Sequence, residues 1–277
     1  MKIAITGGAG FLGVKLARSL LADNALGIEN VALVDMVAPP ADLAEDGRVT
    51  SITGDVADED LLAEAIRPDT DSVYHLAAVV SAGAEADFDL GMRVNLDATR
   101  TILELARRHG NRPKMVFASS CAAYGGDLPE VVTDNQQLTP QNSYGVQKAI
   151  GELLINDYSR KGFLDGRALR YPTVVVRPGK PNKAASTFAS SIIREPLQGQ
   201  EAICPVAPET EMWLASPRTI VANTRRAHDL PAEAWGPWRA VALPGFTTTV
   251  GEMVRALEAI AGPEVAARVK WQRDPLI

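Results

Sequence analysis

The 277-residue chain is poor in the residues that build metal sites and disulfide frameworks: it has two cysteines and three histidines. Cys121 and Cys204 stand far apart, without C-x-x-C spacing, so a zinc cluster is excluded by spacing. So few thiols suit a reducing cytosol. Aromatics make up only 5% of the residues. Positive charge is also short, with 28 Lys and Arg against 34 Asp and Glu. A net charge of -6 offers no basic field for nucleic acid, so none is expected as a partner. No stretch reaches the roughly 18 apolar residues of a membrane span, so no membrane partner is expected. The opening MKIAITGGAGFLG lacks the apolar core of a signal peptide. The expectation is a cytoplasmic protein.

What is present is a strand–helix alternation. Apolar runs near Lys2–Ile5, Val31–Val34, Thr50–Thr53, Ser72–Leu76, Lys114–Ala118 and Arg167–Arg170 read as strands. Helical patterns separate them over Val14–Leu21, Asp58–Ile66, Met92–His109 and Ser143–Arg160. Continuous rather than alternating apolar strands indicate a parallel sheet covered on both faces. Right-handed crossovers then give an α/β, doubly wound sheet of the Rossmann type. After Tyr171 prolines multiply and helical runs shorten. Residues 1–170 are read as a dinucleotide-binding domain and 171–277 as a smaller, interleaved substrate lobe. In that lobe Thr249 and Glu252 have capping-box spacing ahead of a helix that ends near Gly262.

Gly7, Gly10 and Gly13 follow the first strand and open the first helix, with Phe11 and Leu12 among them. Glycines there let backbone N–H groups approach a pyrophosphate, helped by the helix N-terminus. The alternative is a purely structural loop. Asp35 ends the second strand, where a carboxylate accepts ribose hydroxyls and repels a 2′-phosphate, which favours NAD over NADP. Asp55-Val56 follows the third strand. Asp55 can bond an adenine amino group, or cap the next helix. Leu76, Ala77 and Ala78 end the fourth strand, where small residues let a cofactor pass, or simply pack.

Tyr144-x-x-x-Lys148 puts two polar side chains on one helix face, a spacing also common on solvated helices. Upstream, the fifth strand ends in Ser119-Ser120-Cys121-Ala-Ala-Tyr124-Gly125, and hydroxyls at such an end face the ligand crevice. TGGAGFLG at Thr6–Gly13, HLAA at His75–Ala78, SSCAAYG at Ser119–Gly125 and Tyr144-x-x-x-Lys148 resemble the extended short-chain dehydrogenase/reductase family. Nucleotide-sugar epimerases and dehydratases belong to it. The resemblance spans about residues 1–180. It implies an NAD-dependent oxidoreductase with Tyr144 as base. Lys148 would hold the nicotinamide ribose and lower the tyrosine pKa, and Ser120 would bind the reacting hydroxyl, with Ser119 sharing the substrate contact. Asn95 would support backbone geometry or a water chain, and Tyr171-Pro172 would contact the nicotinamide end. A homodimer through the two long helices is implied by the same analogy.

Members that act on nucleotide sugars carry an arginine–aspartate–aromatic stretch where this chain has Glu211-Met212-Trp213. VRPGKPN from Val176, IIREPLQGQE from Ile192 and W-x-A-S-P-R from Trp213 resemble instead the branch that oxidises a four-carbon sugar acid, D-erythronate, at C2 with NAD. A carboxylate needs a cation, and arginine's fork suits it. Arg177 and Arg218 are the candidates, with Ser186 as a polar neighbour. Structural ion pairs are their alternative role. Relatives run further at the C-terminus, so a last strand and helix of the lobe are expected to be missing. Competing functions are a nucleotide-sugar 4-epimerase or dehydratase, and a non-catalytic NAD-binding regulator.

Overall fold

The computed structural model describes residues 1–179 and 184–274. The chain divides into two compact units, Met1–Tyr171 with Val221–Leu243, and Pro172–Ile220 with Pro244–Ile277.

In the first unit, β1 (Lys2–Thr6) leads into α1 (Phe11–Leu21) and β2 (Asn30–Asp35). Then come β3 (Val49–Thr53), α2 (Glu59–Ala65) and β4 (Ser72–His75). A π-helical turn at Met92–Asp97 runs into α3 (Ala98–His109), which Gly110 stops in the left-handed region at φ 69°. The helix expected from Met92 is therefore regular only from Ala98. β5 (Lys114–Ser120), α4 (Ser143–Arg160) and β6 (Asp165–Tyr171) follow.

The second unit holds β7 (Thr173–Val174), α5 (Phe188–Leu197), β8 (Ala202–Cys204) and β9 (Glu211–Ala215). α6 (Pro217–Asp229) passes from this unit back to the first, where β10 (Ala240–Ala242) lies. β11 (Phe246–Thr249), α7 (Val250–Ala261) and β12 (Val269–Trp271) complete the second.

The first unit's sheet has the order β3-β2-β1-β4-β5-β6-β10, parallel throughout. The order reverses between β1 and β4, which opens a crevice at their carboxyl ends. Residues 221–243, grouped with the substrate lobe on sequence, belong to this unit because β10 pairs with β6. Its core packs Ala4, Val34, Val73, Ile102, Leu103, Phe117, Ile155 and Ala168. Buried among these apolar side chains are charged and polar ones, including His75, Lys148, Glu152, Arg167 and Arg170.

The second unit has a three-stranded sheet, β11-β9-β7, and a parallel pair, β12-β8. Phe188, Ile192, Leu214, Val250, Met253 and Leu257 form its core. The capping box forms as read: Thr249 Oγ1 accepts from Glu252 N at 3.2 Å, and Glu252 Oε2 accepts from Thr249 N at 3.1 Å. No helix among the described residues is long and apolar enough to cross a membrane.

Candidate active site

The glycine loop joins β1 to α1 at the switch point. Gly7 has φ +70°, which only glycine adopts without strain. A Cβ on Gly13 would stand 2.0 Å from the Gly7 carbonyl oxygen, so the helix approaches the strand end only without a side chain there. α1 starts with no side-chain cap and no acidic residue in its first turn. Leu12 and Gly13 N–H groups thus face an unneutralised positive helix end, a site shaped for an anion. The Asp35 carboxylate lies beside the loop, accepting from Ala9 N at 3.1 Å and Met36 N at 2.8 Å. Each oxygen has a lone pair left for hydroxyl donors. A dinucleotide fits this cradle: glycines where side chains would block it, and an acid where ribose would lie.

Other residues expected to hold a cofactor are placed differently. Asp55 pairs with Arg93 and accepts from Ala57 N at 2.9 Å. The Ala57 N–H, more than the Arg93 guanidinium, holds its carboxyl below the usual range. Asp55 does not cap the next helix; Asp58 does, accepting from Asp60 N and Leu61 N. Val56 is packed in the core, leaving only its peptide accessible to a ligand. Leu76 and Ala77 lie against the glycine loop through Thr6, whose carbonyl accepts from Leu76 N at 3.1 Å. Ala78 continues this segment past the strand end. The Tyr171 hydroxyl is committed to Thr224 at 2.7 Å, and burial pushes it up to about 12. Pro172 opens the second unit.

A buried polar chain runs behind the loop. Thr99 donates to the Asn95 carbonyl at 2.7 Å, so its oxygen accepts from His75 Nε2–H at 2.9 Å. His75 Nδ1 then accepts from Thr6 at 2.6 Å, and Thr6 accepts from Ala77 N at 3.3 Å. Burial first, and the Lys148 charge second, push His75 down to about 3, so it stays neutral. The Asn95 amide is used up by Val79 N, Val79 O and Gln147 Oε1, at 2.7–2.9 Å. Asn95 therefore braces the backbone rather than facing a ligand with its side chain.

α4 brings Tyr144 and Lys148 against β5. Gly145 permits this, since a Cβ there would lie 2.0 Å from the Ala122 carbonyl oxygen. Lys148 is 1% exposed, which rules out a solvated helix face. Its Nζ lies 4.5 Å from the Phe117 ring centre and 5.6 Å from that of Tyr144. Burial pushes Lys148 down to about 7 despite the nearby Glu152 charge. Burial pushes the Tyr144 phenol up to about 12, opposed by the Ser120 hydroxyl. A phenol, a hydroxyl at the neighbouring strand end and a buried lysine one helical turn away are groups that can transfer a proton.

Two adjacent serines part ways. Ser120 meets Tyr144, while Ser119 is 2% exposed and donates to Glu152 Oε1 at 2.5 Å. The Ser119 hydroxyl, expected at the substrate, is engaged by Glu152; successive strand residues point to opposite sides. Its acceptor Glu152 forms a buried ion pair with Arg170. Sequence reading passed over both. The signal was there, because Glu152 continues the Tyr144, Lys148 series at spacing four.

In the second unit, Arg177 N donates to Ser190 Oγ at 2.9 Å, and burial, then Arg194, hold its guanidinium below its usual value. Ser186 sits in the turn before α5. Arg218 is exposed in the first turn of α6 and makes no ion pair among the described residues. Lys180–Lys183, part of the distinctive proline-rich stretch, lie outside the described residues.

Residues 3–213 match the NAD dependent epimerase/dehydratase family. The D-erythronate dehydrogenase of Cupriavidus necator is 56% identical over 281 residues, covering 99% of this chain and 86% of that protein. That of Haemophilus influenzae is 48% identical, covering 100% and 88%. Among solved structures, the nucleoside-diphosphate-sugar epimerase of Agrobacterium tumefaciens superimposes with a TM-score of 0.92 at 43% identity, covering 100% of this chain and 83% of that one. With the glycine loop, the parallel sheet and the matched span in agreement, the chain belongs to the NAD-dependent epimerase/dehydratase family.

Proposed function

We propose that the chain oxidises the C2 hydroxyl of a small sugar acid, D-erythronate, to the 2-keto acid, with NAD as cofactor. The observation that carries the chemistry is Tyr144 on the helix packed against the Ser120 strand end, with Lys148 buried one turn further and its Nζ 5.6 Å from the Tyr144 ring centre. The names of the two relatives above support the substrate.

When bound, NAD supplies the hydride acceptor. Gly7, Gly10 and Phe11 would line the pyrophosphate, and the backbone N–H groups of Leu12 and Gly13 would hold it. Asp35 would hold the adenosine ribose and disfavour NADP. Asp55 and the Val56 peptide would meet the adenine, Leu76–Ala78 would line the path, and the Tyr171-Pro172 peptide would meet the nicotinamide end. Asn95 supports this end by bracing Val79. Lys148 would hold the nicotinamide ribose.

Tyr144 is protonated at neutral pH in its buried setting, so it needs cations to act as a base. Lys148 is one. Ser120 orients the substrate hydroxyl and helps hold the phenolate. Tyr144 takes the O–H proton as the C2–H bonding pair departs as hydride and the C=O bond forms. Arg177 and Arg218, with Ser186, would bind the carboxylate. An exposed arginine without an acidic partner among the described residues suits such a role for Arg218.

The name of the Agrobacterium structure favours a second reading, epimerisation of a nucleotide sugar. Absorbance at 340 nm separates the readings. Accumulating NADH with D-erythronate and NAD, and none with UDP-sugars, is the expected result. No NADH with the acid overturns the proposal. Turnover of a UDP-sugar without net NADH would point to epimerisation. Binding of NAD without any turnover would point to a regulator.

A further inference from the structure

The buried Glu152–Arg170 pair lies next to the proposed chemistry and is untouched by it. Glu152 is fully buried and takes three contacts from Arg170, Nε at 3.0 and 3.2 Å and Nη2 at 2.8 Å. Ser119 adds a fourth at 2.5 Å. Arg170 is placed for this by register, since Ser119 and Arg170 are paired neighbours on β5 and β6. Its remaining arm, Nη1, donates to the Tyr124 hydroxyl at 2.8 Å and reaches the Asp134 carbonyl at 3.4 Å. The Arg170 guanidinium also lies 5.0 Å from the Tyr124 ring centre.

Ser119 and Tyr124 flank Ser120 in the chain, one before it and one four residues after. Both are tied to one ion pair. That pair is rooted in α4, the helix that carries Tyr144 and Lys148. We propose that the Glu152–Arg170 pair is a positioning device: it pins the strand end on both sides of Ser120 to the helix that carries Tyr144. The placement of Ser120 relative to Tyr144 is thereby set by a buried, charge-assisted clamp rather than by the loop itself. Neither Glu152 nor Arg170 touches the reacting atoms. Besides Ser120, the groups that face Tyr144 are Lys148 on its own helix and the Cys121 thiol after β5.

The inference rests on the role proposed for Tyr144. Removing the ion pair itself threatens the fold, so the test uses its two pins. Ser119→Ala leaves Glu152 its three arginine contacts, and Tyr124→Phe leaves Arg170 the Asp134 carbonyl. Each is expected to lower kcat about tenfold, with KM for D-erythronate and NAD changed less than about twofold. Melting temperatures should stay within about 4 °C of the parent. Crystals of Ser119→Ala should show Ser120 Oγ displaced relative to Tyr144 from its position in the parent. Unchanged kcat in both variants, or Ser120 unmoved, overturns the clamp. A raised KM with kcat held overturns it too, because Ser119 would then touch substrate. Should the parent protein oxidise no sugar acid, the proposed function fails, while the crystal structure still decides the clamp.

Discussion

The two units hold their candidate functional groups in different ways. In the first, Ser120, Tyr144 and Lys148 sit at the end of a central strand and on the helix packed against it. β5 is hydrogen-bonded to β4 as far as Phe117 and to β6 through Ser120, so its end is held along one strand edge. In the second, Ser186 lies in a turn and Arg218 in the exposed first turn of a helix. The difference follows the division of labour in an enzyme. Proton transfer needs atoms held within tenths of an ångström, which a paired strand and a buried ion pair supply. Recognition of a charged group tolerates a looser mount and varies with the segment that carries it.

If that division holds, damage to the first unit should act on kcat and stability, and damage to the second on KM. The largest effect is expected for Tyr144→Phe: kcat down by about 10³-fold or more, with NAD affinity, read by calorimetry, unchanged. Next comes Glu152→Gln, which leaves Arg170 buried without its counter-charge. A loss of about 3 kcal/mol, near 8 °C in melting temperature, is expected by scanning calorimetry. Arg218→Met should raise KM for D-erythronate about 30-fold, roughly 2 kcal/mol, with kcat and the melting temperature held. Should kcat fall instead, the arginine does more than anchor.

The smallest effect concerns pH. The folded-state value of Lys148, about 7, lies below its ordinary 10.5, so folding disfavours its charged form. The penalty is complete below pH 7 and is relieved as pH rises from about 7 toward 10.5. Lys148→Met should therefore melt higher than the parent at pH 6, by about 5 °C for roughly 2 kcal/mol. The gap should narrow at pH 9. A gap that does not change with pH would show that Lys148 carries no such penalty.

Much of this was legible from residues alone, for stated reasons. Gly7 and Gly13 announce a loop that no side chain fits, and the structure confirms both constraints. Thr249 and Glu252 announce a capping box because its partners are three residues apart. The Ser119–Glu152 contact is not legible in the sequence because strand position tells which residues reach an end, not what waits on either side of it. The acceptor, Glu152, lies 33 residues away in sequence. Asp55 was left open for the same reason, since Arg93 arrives from a π-helical turn no local pattern predicts.

The sequence by itself determined the alternation of strands and helices, the glycine loop and the Tyr144–Lys148 spacing. These depend on backbone geometry and on neighbours a few residues apart. Only the tertiary structure decided which of two adjacent serines meets Tyr144, that Asn95 braces Val79, and that residues 221–243 return to the first sheet. Those outcomes depend on register between distant strands. A shift of one residue there would turn each side chain to the other face.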